Sequence, residues 1–317
     1  MPQEVESLFT KIRDNLESII IGQPMAVDLI LIGILAEGHI LLEGVPGTAK
    51  TLMVKVLSQL ISSSFNRIQL TPDMLPSDIL GNSVYDLNSR QFYIKEGPIF
   101  ADLLLADEIN RTPPKTQSAL LEAMEEKQVT IDGHLKYMSD IFTLFATQNP
   151  IEFEGTYPLP EAQLDRFMFK IVIEYPGKEA EKNILLNYQK GFDPKSLKNK
   201  PLDSVCTKEE IVAARKKLLD ITVEDSIIDY IIELISRTRN LSDLALGASP
   251  RAAVLWLAAS KACAAINGQK YVTPDHVKYV ARPLLRHRLL LTPEAELEGV
   301  TTDQIINTLL NQVPVPR

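Results

Sequence analysis

Short apolar runs alternate with amphipathic segments through the first half of the chain. Runs of this kind are typical of buried strands, and they fall at residues 39–43, 67–70, 103–106, 142–147 and 167–173. Residues 50–62 and 113–126 instead carry apolar positions at helical spacing. Strands that alternate with helices in this way predict an α/β fold, in which helices cover both faces of a parallel sheet.

Two segments interrupt the alternation and are predicted to form β-hairpins that project from the sheet. In residues 81–97, the strand-like runs VYDL and QFYIKEG flank a polar turn at Asn88-Ser89-Arg90. In residues 128–139, VTI and LKYM flank Asp132-Gly133, a dipeptide that favours a hairpin turn.

The pattern becomes purely helical after residue 176. Helical spacing recurs at residues 178–190, 208–220, 224–239, 251–267 and 274–287. We therefore predict an α/β core over residues 1–176, which opens with an amphipathic helix, and an all-helical second domain over residues 177–292. Residues 293–317 would be a C-terminal tail with one short helix at 302–311.

Composition and charge narrow the possible partners. The chain has 317 residues, 45% hydrophobic and 23% charged, enough for two domains of ordinary globular composition. Its net charge of -8 disfavours non-specific nucleic-acid binding, which needs cations to neutralise phosphates.

Two distant cysteines, Cys206 and Cys263, predict reduced thiols in the cytosol. Because no signal-peptide pattern opens the chain and no apolar run is long enough for a bilayer, we expect a cytoplasmic protein without membrane insertion.

The strongest chemical signal follows the first predicted strand and opens a helix. It is the phosphate-binding loop Gly44-Val45-Pro46-Gly47-Thr48-Ala49-Lys50-Thr51. Backbone N–H groups of such a loop surround phosphates, Lys50 adds a positive charge, and the Thr51 hydroxyl would be a Mg²⁺ ligand. Ala49 stands where the general pattern has Gly, and we expect right-handed dihedrals there because it begins the helix. The sequence thus predicts ATP and Mg²⁺ as cofactors.

Polar side chains also end the next predicted strands. Asp107 and Glu108 close an apolar run, where Asp107 would hold Mg²⁺ and Glu108 would polarise the attacking water. Asn149 follows the strand after that, at the carboxyl edge where ligands of such sheets bind. An amide at this position could orient water against the γ-phosphate.

Two arginines complete the set of candidate catalytic residues. Arg166 directly precedes the last strand, and Arg251 follows Ser249-Pro250, which is typical of an N-cap and first helical residue. A first-turn arginine could face a phosphate together with the helix dipole. For each of them, a surface ion pair with a neighbouring carboxylate is the ordinary alternative.

In this order the motifs resemble the AAA+ ATPases, and more narrowly their MoxR branch. The resemblance covers residues 20–290 and is carried by GVPGTAKT, ADEINRTPPKTQSALLEAMEE, ATQNPIEFEGTYPLPEAQLDRF and GASPRA. Ala in the loop is common in that branch. The resemblance implies an Mg-dependent ATPase that works as an oligomer, commonly a hexameric ring, and acts as a chaperone for a client protein, often with a von Willebrand A-domain partner.

The resemblance also implies roles for matching positions. Arg166 would be an arginine finger that reaches the nucleotide of the neighbouring subunit, Arg251 a second sensor on the helical lid, and Asn149 the first sensor. Gly22, within Ile20-Ile21-Gly22-Gln23, would lie along the adenine. The hairpins at 81–97 and 128–139 would be the helix-2 and pre-sensor-1 inserts.

Two other functions remain open on the sequence alone. A nucleic-acid motor is the first, but the hairpin at 128–139 carries Lys136 as its only full positive charge, against Asp132 and the adjoining Asp140. A nucleotide-gated scaffold that hardly hydrolyses ATP is the second. DNA-stimulated turnover would favour the motor, and a steady-state phosphate-release assay tests the scaffold.

Overall fold

A computed structural model describes residues 2–149, 156–192 and 202–316. Its strands are β1 (Ile40–Glu43), β2 (Phe65–Gln69), β3 (Gly81–Asp86), β4 (Gln91–Glu96), β5 (Leu103–Asp107), β6 (Gln128–Ile131), β7 (His134–Tyr137), β8 (Thr143–Gln148), β9 (Phe169–Val172), β10 (Leu244–Leu246) and β11 (Leu290–Leu291). The strands and helices predicted for the first half are present, with ends shifted by up to two residues.

The helices pack around this framework and continue to the end of the chain. They are α1 (Pro2–Ile19), α2 (Pro24–Leu35), α3 (Lys50–Leu60), α4 (Pro76–Leu80), α5 (Pro114–Glu126), α6 (Glu161–Leu164), α7 (Lys178–Gln189), α8 (Lys208–Lys217), α9 (Asp225–Thr238), α10 (Pro250–Ile266), α11 (Pro274–Leu285), α12 (Pro293–Leu297) and α13 (Thr302–Gln312). None of the helices in these ranges is long and apolar enough to cross a membrane.

The core is a five-stranded parallel sheet in the order β2-β5-β8-β1-β9. All of β5 and all of β8 except Gln148 are buried, as expected for strands that helices cover on both faces. The order places β5, β8 and β1 side by side. The loops that follow these three strands therefore meet at one carboxyl edge, where doubly wound sheets bind ligands.

Both predicted hairpins are confirmed, and each forms its own two-stranded sheet, β3 with β4 and β6 with β7. The two hairpins also contact each other. Ser83 donates its backbone N–H to Asp132 Oδ2 at 3.0 Å, and Lys136 Nζ lies 3.1 Å from Glu96 Oε1. These contacts join the two projections into one structural unit.

The second half is helical as predicted, with one addition to the expected all-helical domain. Strands β10 and β11 pair antiparallel, which lets the loop before α10 hydrogen-bond with the segment after α11. The short helix α12 was also not predicted. Its N-cap is Thr292, whose side chain accepts the Ala295 N–H, and at five residues the helix is too short to show helical periodicity.

The segment predicted as a tail is packed rather than free. Helix α13 lies against α9 and α11, and its Ile306 and Leu309 are buried. Helix α1, from the other end of the chain, packs on α10, α2 and α3, and its Phe9, Ile12 and Leu16 are fully buried. One hydrophobic cluster therefore joins the sheet to the helical half.

Candidate nucleotide site

A cleft opens at the carboxyl edge of β1, β5 and β8. It has a volume of about 590 Å³ and contains ten of the thirteen residues predicted for the site. These are Gly44, Pro46, Gly47, Thr48, Ala49, Lys50, Thr51, Asp107, Glu108 and Asn149. Gly22, Arg166 and Arg251 do not line this cavity.

The phosphate loop is held in shape by its own hydrogen bonds. Lys50 Nζ donates to the carbonyl oxygens of Gly44 and Val45 at 2.5 and 2.9 Å, and Thr48 Oγ1 donates to the Val45 carbonyl at 2.9 Å. Burial lowers the pKa of Lys50 from its usual value, while the charges of Asp107 and Glu108 oppose that shift. Gly47 has a φ of 86°, a left-handed conformation that glycine adopts without steric cost.

The expected right-handed backbone at Ala49 is wrong. This residue has φ 64° and ψ 16°, in the left-handed region, and helix α3 begins only at Lys50. The loop must reverse direction directly before the helix so that its N–H groups face the cavity. A glycine would meet that requirement freely, which accounts for glycine in the general pattern.

Asp107 and Glu108 follow one another but occupy different surroundings. Asp107 is buried, and its carboxylate accepts hydrogen bonds from Thr147 Oγ1 on Oδ1 at 3.1 Å and from Arg67 Nε on Oδ2 at 2.6 Å. Glu108 has a left-handed φ of 60° and donates its N–H to Thr147 Oγ1 at 2.9 Å. Thr147 therefore fixes both acidic residues from the neighbouring strand.

The donors in the cavity fit ATP and Mg²⁺. The Thr51 hydroxyl and the Asp107 carboxylate both line it, and Mg²⁺ is usually bound by one or two such oxygen ligands together with phosphates and water. Part of the cavity lining is apolar and suits a nucleobase. It is formed by Ile19, Ile20, Ile21, Ile184, Tyr188 and Phe192.

Gly22, which was predicted to lie along the adenine, does not itself line the cavity. Ile20 and Ile21 line the cavity, but Gly22 has φ 81° and packs against the segment that leads into α7. A Cβ atom at Gly22 would lie 2.7 Å from Ala180 Cβ and 3.0 Å from Pro176 Cβ. Glycine is needed at this position for close packing. Ile184 and Tyr188 are four residues apart and so share one face of α7, which was the available sign that α7 covers the cavity.

Arg166 and Arg251 meet at a carboxylate outside the cavity. Arg166 Nε lies 2.9 Å from Glu125 Oε2, and Arg251 Nη2 forms an ion pair with Glu125 Oε1. Arg251 does lie in the first turn of α10, capped by Ser249 as predicted, but that turn does not face the cavity of its own chain. Glu125, near the end of α5, is a residue that the sequence did not indicate.

A buried network holds the segment that carries Arg166. Arg288, whose side chain is 1% exposed, donates from Nε to Asp165 Oδ1 at 2.8 Å and from Nη2 to the carbonyls of Asp165 and Phe167 at 2.9 and 2.5 Å. Ser249 Oγ donates to the other oxygen, Asp165 Oδ2, at 2.9 Å. Burial lowers the pKa of Arg288 to about 10, so it stays charged at neutral pH. Asp165 thus links the arginine segment to the cap of α10.

This fold and site define a P-loop ATPase of the AAA+ class. Residues 39–169 match the family model described as ATPase family associated with various cellular activities (AAA), and residues 236–309 match the AAA lid domain. The chain is 41% identical over 312 residues to Chaperone MoxR1 of Mycobacterium tuberculosis, an alignment that covers 96% of this chain and 81% of that protein. The chain belongs to the MoxR family of AAA+ ATPases.

Other relatives agree with this assignment. YeaC of Bacillus subtilis, an uncharacterised protein, is 43% identical over 99% of this chain and 97% of its own length. Protein MoxR of Paracoccus denitrificans is 25% identical over 100% of this chain and 99% of its own length. The crystal structure of a candidate ATPase from Cytophaga hutchinsonii superimposes with a TM-score of 0.91 at 41% identity, covering 100% of this chain and 97% of that one.

Proposed function

We propose that the protein hydrolyses ATP with Mg²⁺ in an oligomeric ring, commonly hexameric in this family, and that hydrolysis drives chaperone-like remodelling of a client protein. The observation that carries this proposal is the separation of the two candidate catalytic arginines from the cavity of their own chain. An ATPase of this class uses an arginine to stabilise charge on the transferred phosphoryl group. A second subunit would therefore complete the site.

The position of Arg166 supports this geometry. It precedes β9, at the amino edge of the sheet, whereas the phosphate loop follows β1 at the carboxyl edge. The two strands are parallel and four residues long, so the edges are separated by roughly 13 Å. An arginine at the amino edge faces outward and could reach a nucleotide bound by a neighbour.

The residues within the cavity have separate tasks. Bound Mg²⁺ would neutralise phosphate charge, and Thr51 and Asp107 would hold it. Lys50 and the N–H groups of the loop would fix the β- and γ-phosphates. Glu108, at the rim beside Asp107, would polarise the attacking water, and Asn149 would orient it. Arg166 and Arg251 from a neighbour would stabilise the charge that develops on the γ-phosphoryl group.

The client and the location belong to the same proposal. The relative from Mycobacterium tuberculosis is named a chaperone, which supports a protein substrate. We place this protein in the cytoplasm, where ATP is available, and expect its partners to be a client protein and a von Willebrand A-domain protein rather than nucleic acid. The joined hairpins β3–β4 and β6–β7 project from the sheet and could contact such partners.

Mixing two inactive variants tests the shared site. Arg166→Ala and Lys50→Ala should each lower steady-state phosphate release by about a thousandfold, because one lacks the arginine and the other the phosphate contact. A mixture should regain a measurable fraction of wild-type activity, since a Lys50→Ala subunit can supply Arg166 to an intact cavity next to it.

A second mixture controls for recovery of phosphate release that does not come from a site shared between subunits. Lys50→Ala and Glu108→Gln affect the same cavity, so mixing them leaves every cavity defective and should restore nothing. Equal recovery in both mixtures, or none in the first, contradicts a site shared between subunits.

A further inference from the structure

Arg67 is a cation in the cavity that belongs to neither the phosphate loop nor the Asp-Glu strand. It lies on the edge strand β2, lines the cavity, and directs its Nε to Asp107 Oδ2 at 2.6 Å. Its Nη2 donates to Gln69 Oε1 at 3.4 Å. Half of the Arg67 side chain is exposed, compared with 9% of the Asp107 side chain. The arginine is therefore the movable partner of a fixed carboxylate.

Both oxygens of Asp107 are already engaged by protein donors. Oδ1 accepts from Thr147 and Oδ2 accepts from Arg67. A buried carboxylate is costly unless a cation or donors compensate its charge, and Arg67 supplies that positive charge. A divalent ion at Oδ2 would face the guanidinium at contact distance, where two cations repel strongly. Arg67 and Mg²⁺ thus compete for one oxygen.

We propose that Arg67 is a positioning residue that keeps the cavity receptive to nucleotide phosphates before a divalent ion is bound, and that it leaves Asp107 when Mg²⁺ arrives with the nucleotide. The inference rests on the proposed function, because it takes Asp107 as a Mg²⁺ ligand. It adds that, before Mg²⁺ binds, Arg67 supplies a positive charge at the Asp107 carboxylate.

The consequence is a Mg²⁺-dependent effect of replacing Arg67. Without Mg²⁺, the Arg67→Gln protein presents an uncompensated carboxylate to the phosphates, so ATP binds more weakly. With Mg²⁺, the ion compensates Asp107 in either protein and no longer competes with a guanidinium in the variant, so ATP binds at least as tightly to Arg67→Gln as to the wild type. The ratio of the ATP Kd in EDTA to the ATP Kd in Mg²⁺ therefore measures the role of Arg67 and requires no turnover.

Calorimetric titration of ATP into the purified full chain, in Mg²⁺ and in EDTA, tests this inference. The ratio should rise at least about tenfold in Arg67→Gln, which corresponds to about 1.4 kcal/mol. Arg67→Lys, which keeps the charge, should stay close to the wild type. Arg237→Gln is the matched control, because it removes an arginine of similar exposure whose Nε also lies 2.6 Å from a carboxylate, that of Glu233 on α9.

The outcomes separate the inference from the proposed function. An ATP Kd in EDTA that is equal for Arg67→Gln and the wild type overturns the inference. Equal weakening of ATP binding to Arg67→Gln in EDTA and in Mg²⁺ also overturns the inference, because it would make Arg67 a direct nucleotide ligand. A wild-type Kd that ignores Mg²⁺ contradicts the Mg²⁺ site itself, while the comparison in EDTA still tests Arg67. Since Arg67 is half exposed on an edge strand, we expect each variant to fold, and thermal unfolding of both arginine variants checks this.

Discussion

Ala49 lies in a backbone region that alanine rarely occupies. With φ 64° and ψ 16°, its Cβ atom approaches the following backbone, which costs about 1–2 kcal/mol relative to a right-handed residue. The strain lies directly before Lys50 in the loop that would bind phosphates. Strained residues of this kind persist where the surrounding structure requires a particular path of the chain.

Ala49→Gly should stabilise the protein although the same change usually destabilises. Glycine removes the left-handed strain, but it also raises the conformational entropy of the unfolded chain, which offsets part of this stabilisation. We therefore expect the free energy of unfolding to rise by about 0.5–1 kcal/mol. Ala213→Gly, at an exposed position within α8, should lower it by about 1 kcal/mol. Urea denaturation of both variants measures the difference, and a loss of stability in Ala49→Gly would contradict the left-handed assignment.

Elements from both halves of the molecule meet at Asp165. The carboxylate joins Arg288, beyond α11, to Ser249, which also accepts the Ala252 N–H as the N-cap of α10. Arg166 is the next residue in the chain, and Arg251 lies in the first turn of α10. A shift of α10 or α11 relative to the sheet would therefore be transmitted to both candidate catalytic arginines.

Ser249→Ala should reduce both stability and ATP hydrolysis. Loss of the cap costs about 1 kcal/mol, and the arginine segment loses one of its two fixed partners at Asp165, so we expect phosphate release to fall about tenfold or more. Thr207→Ala is the matched control, because Thr207 caps α8 by accepting the Glu210 N–H at 3.3 Å. It should lose similar stability with little change in phosphate release, whereas equal effects on hydrolysis would assign Ser249 a purely structural role.

The elements could be predicted where one local rule decides the outcome. Strands β5 and β8 are buried and mostly apolar because they are covered on both faces, and Asp132-Gly133 determines a turn by itself. The phosphate loop was predictable for the same reason, since its glycines and Lys50 are adjacent in sequence. The left-handed backbone at Ala49 depends on the direction in which the loop leaves β1, and a pattern of residue types does not specify that direction.

Contacts between distant segments could not be predicted. Arg251 and Glu125 are separated by 126 positions, and only the tertiary fold brings them together. The pairing of Arg67 with Asp107 likewise follows from the parallel register of β2 and β5. The sequence supplied the chemistry of these residues, and the fold decides which of them are partners.

At the scale of the whole molecule, the proposed completion of the site by a neighbour would link assembly to the bound nucleotide. Each subunit would contribute the cavity on one side and Arg166 with Arg251 on another. Anything that binds only the assembled form stabilises assembly by mass action. A nucleotide held between subunits is such a ligand, and its hydrolysis would weaken the contact again.

Glu108→Gln should trap the assembly. An amide cannot polarise the attacking water but leaves Asp107 and the phosphate loop intact, so ATP should bind and persist. We expect this variant to sediment as a larger particle with ATP and Mg²⁺ than with ADP. Lys50→Ala, which loses the phosphate contact, should show no such shift. A Glu108→Gln particle whose mass is independent of ATP would contradict assembly through the nucleotide.

Glu125 gives each subunit an anion that both arginines already occupy. An arginine paired with one carboxylate moves to a new partner only when that partner offers more negative charge in reach. A nucleoside triphosphate on an adjoining subunit would attract the arginines away from a single carboxylate more strongly than a diphosphate would. Glu125 would then serve as the internal reference against which a subunit senses how many phosphates its neighbour holds.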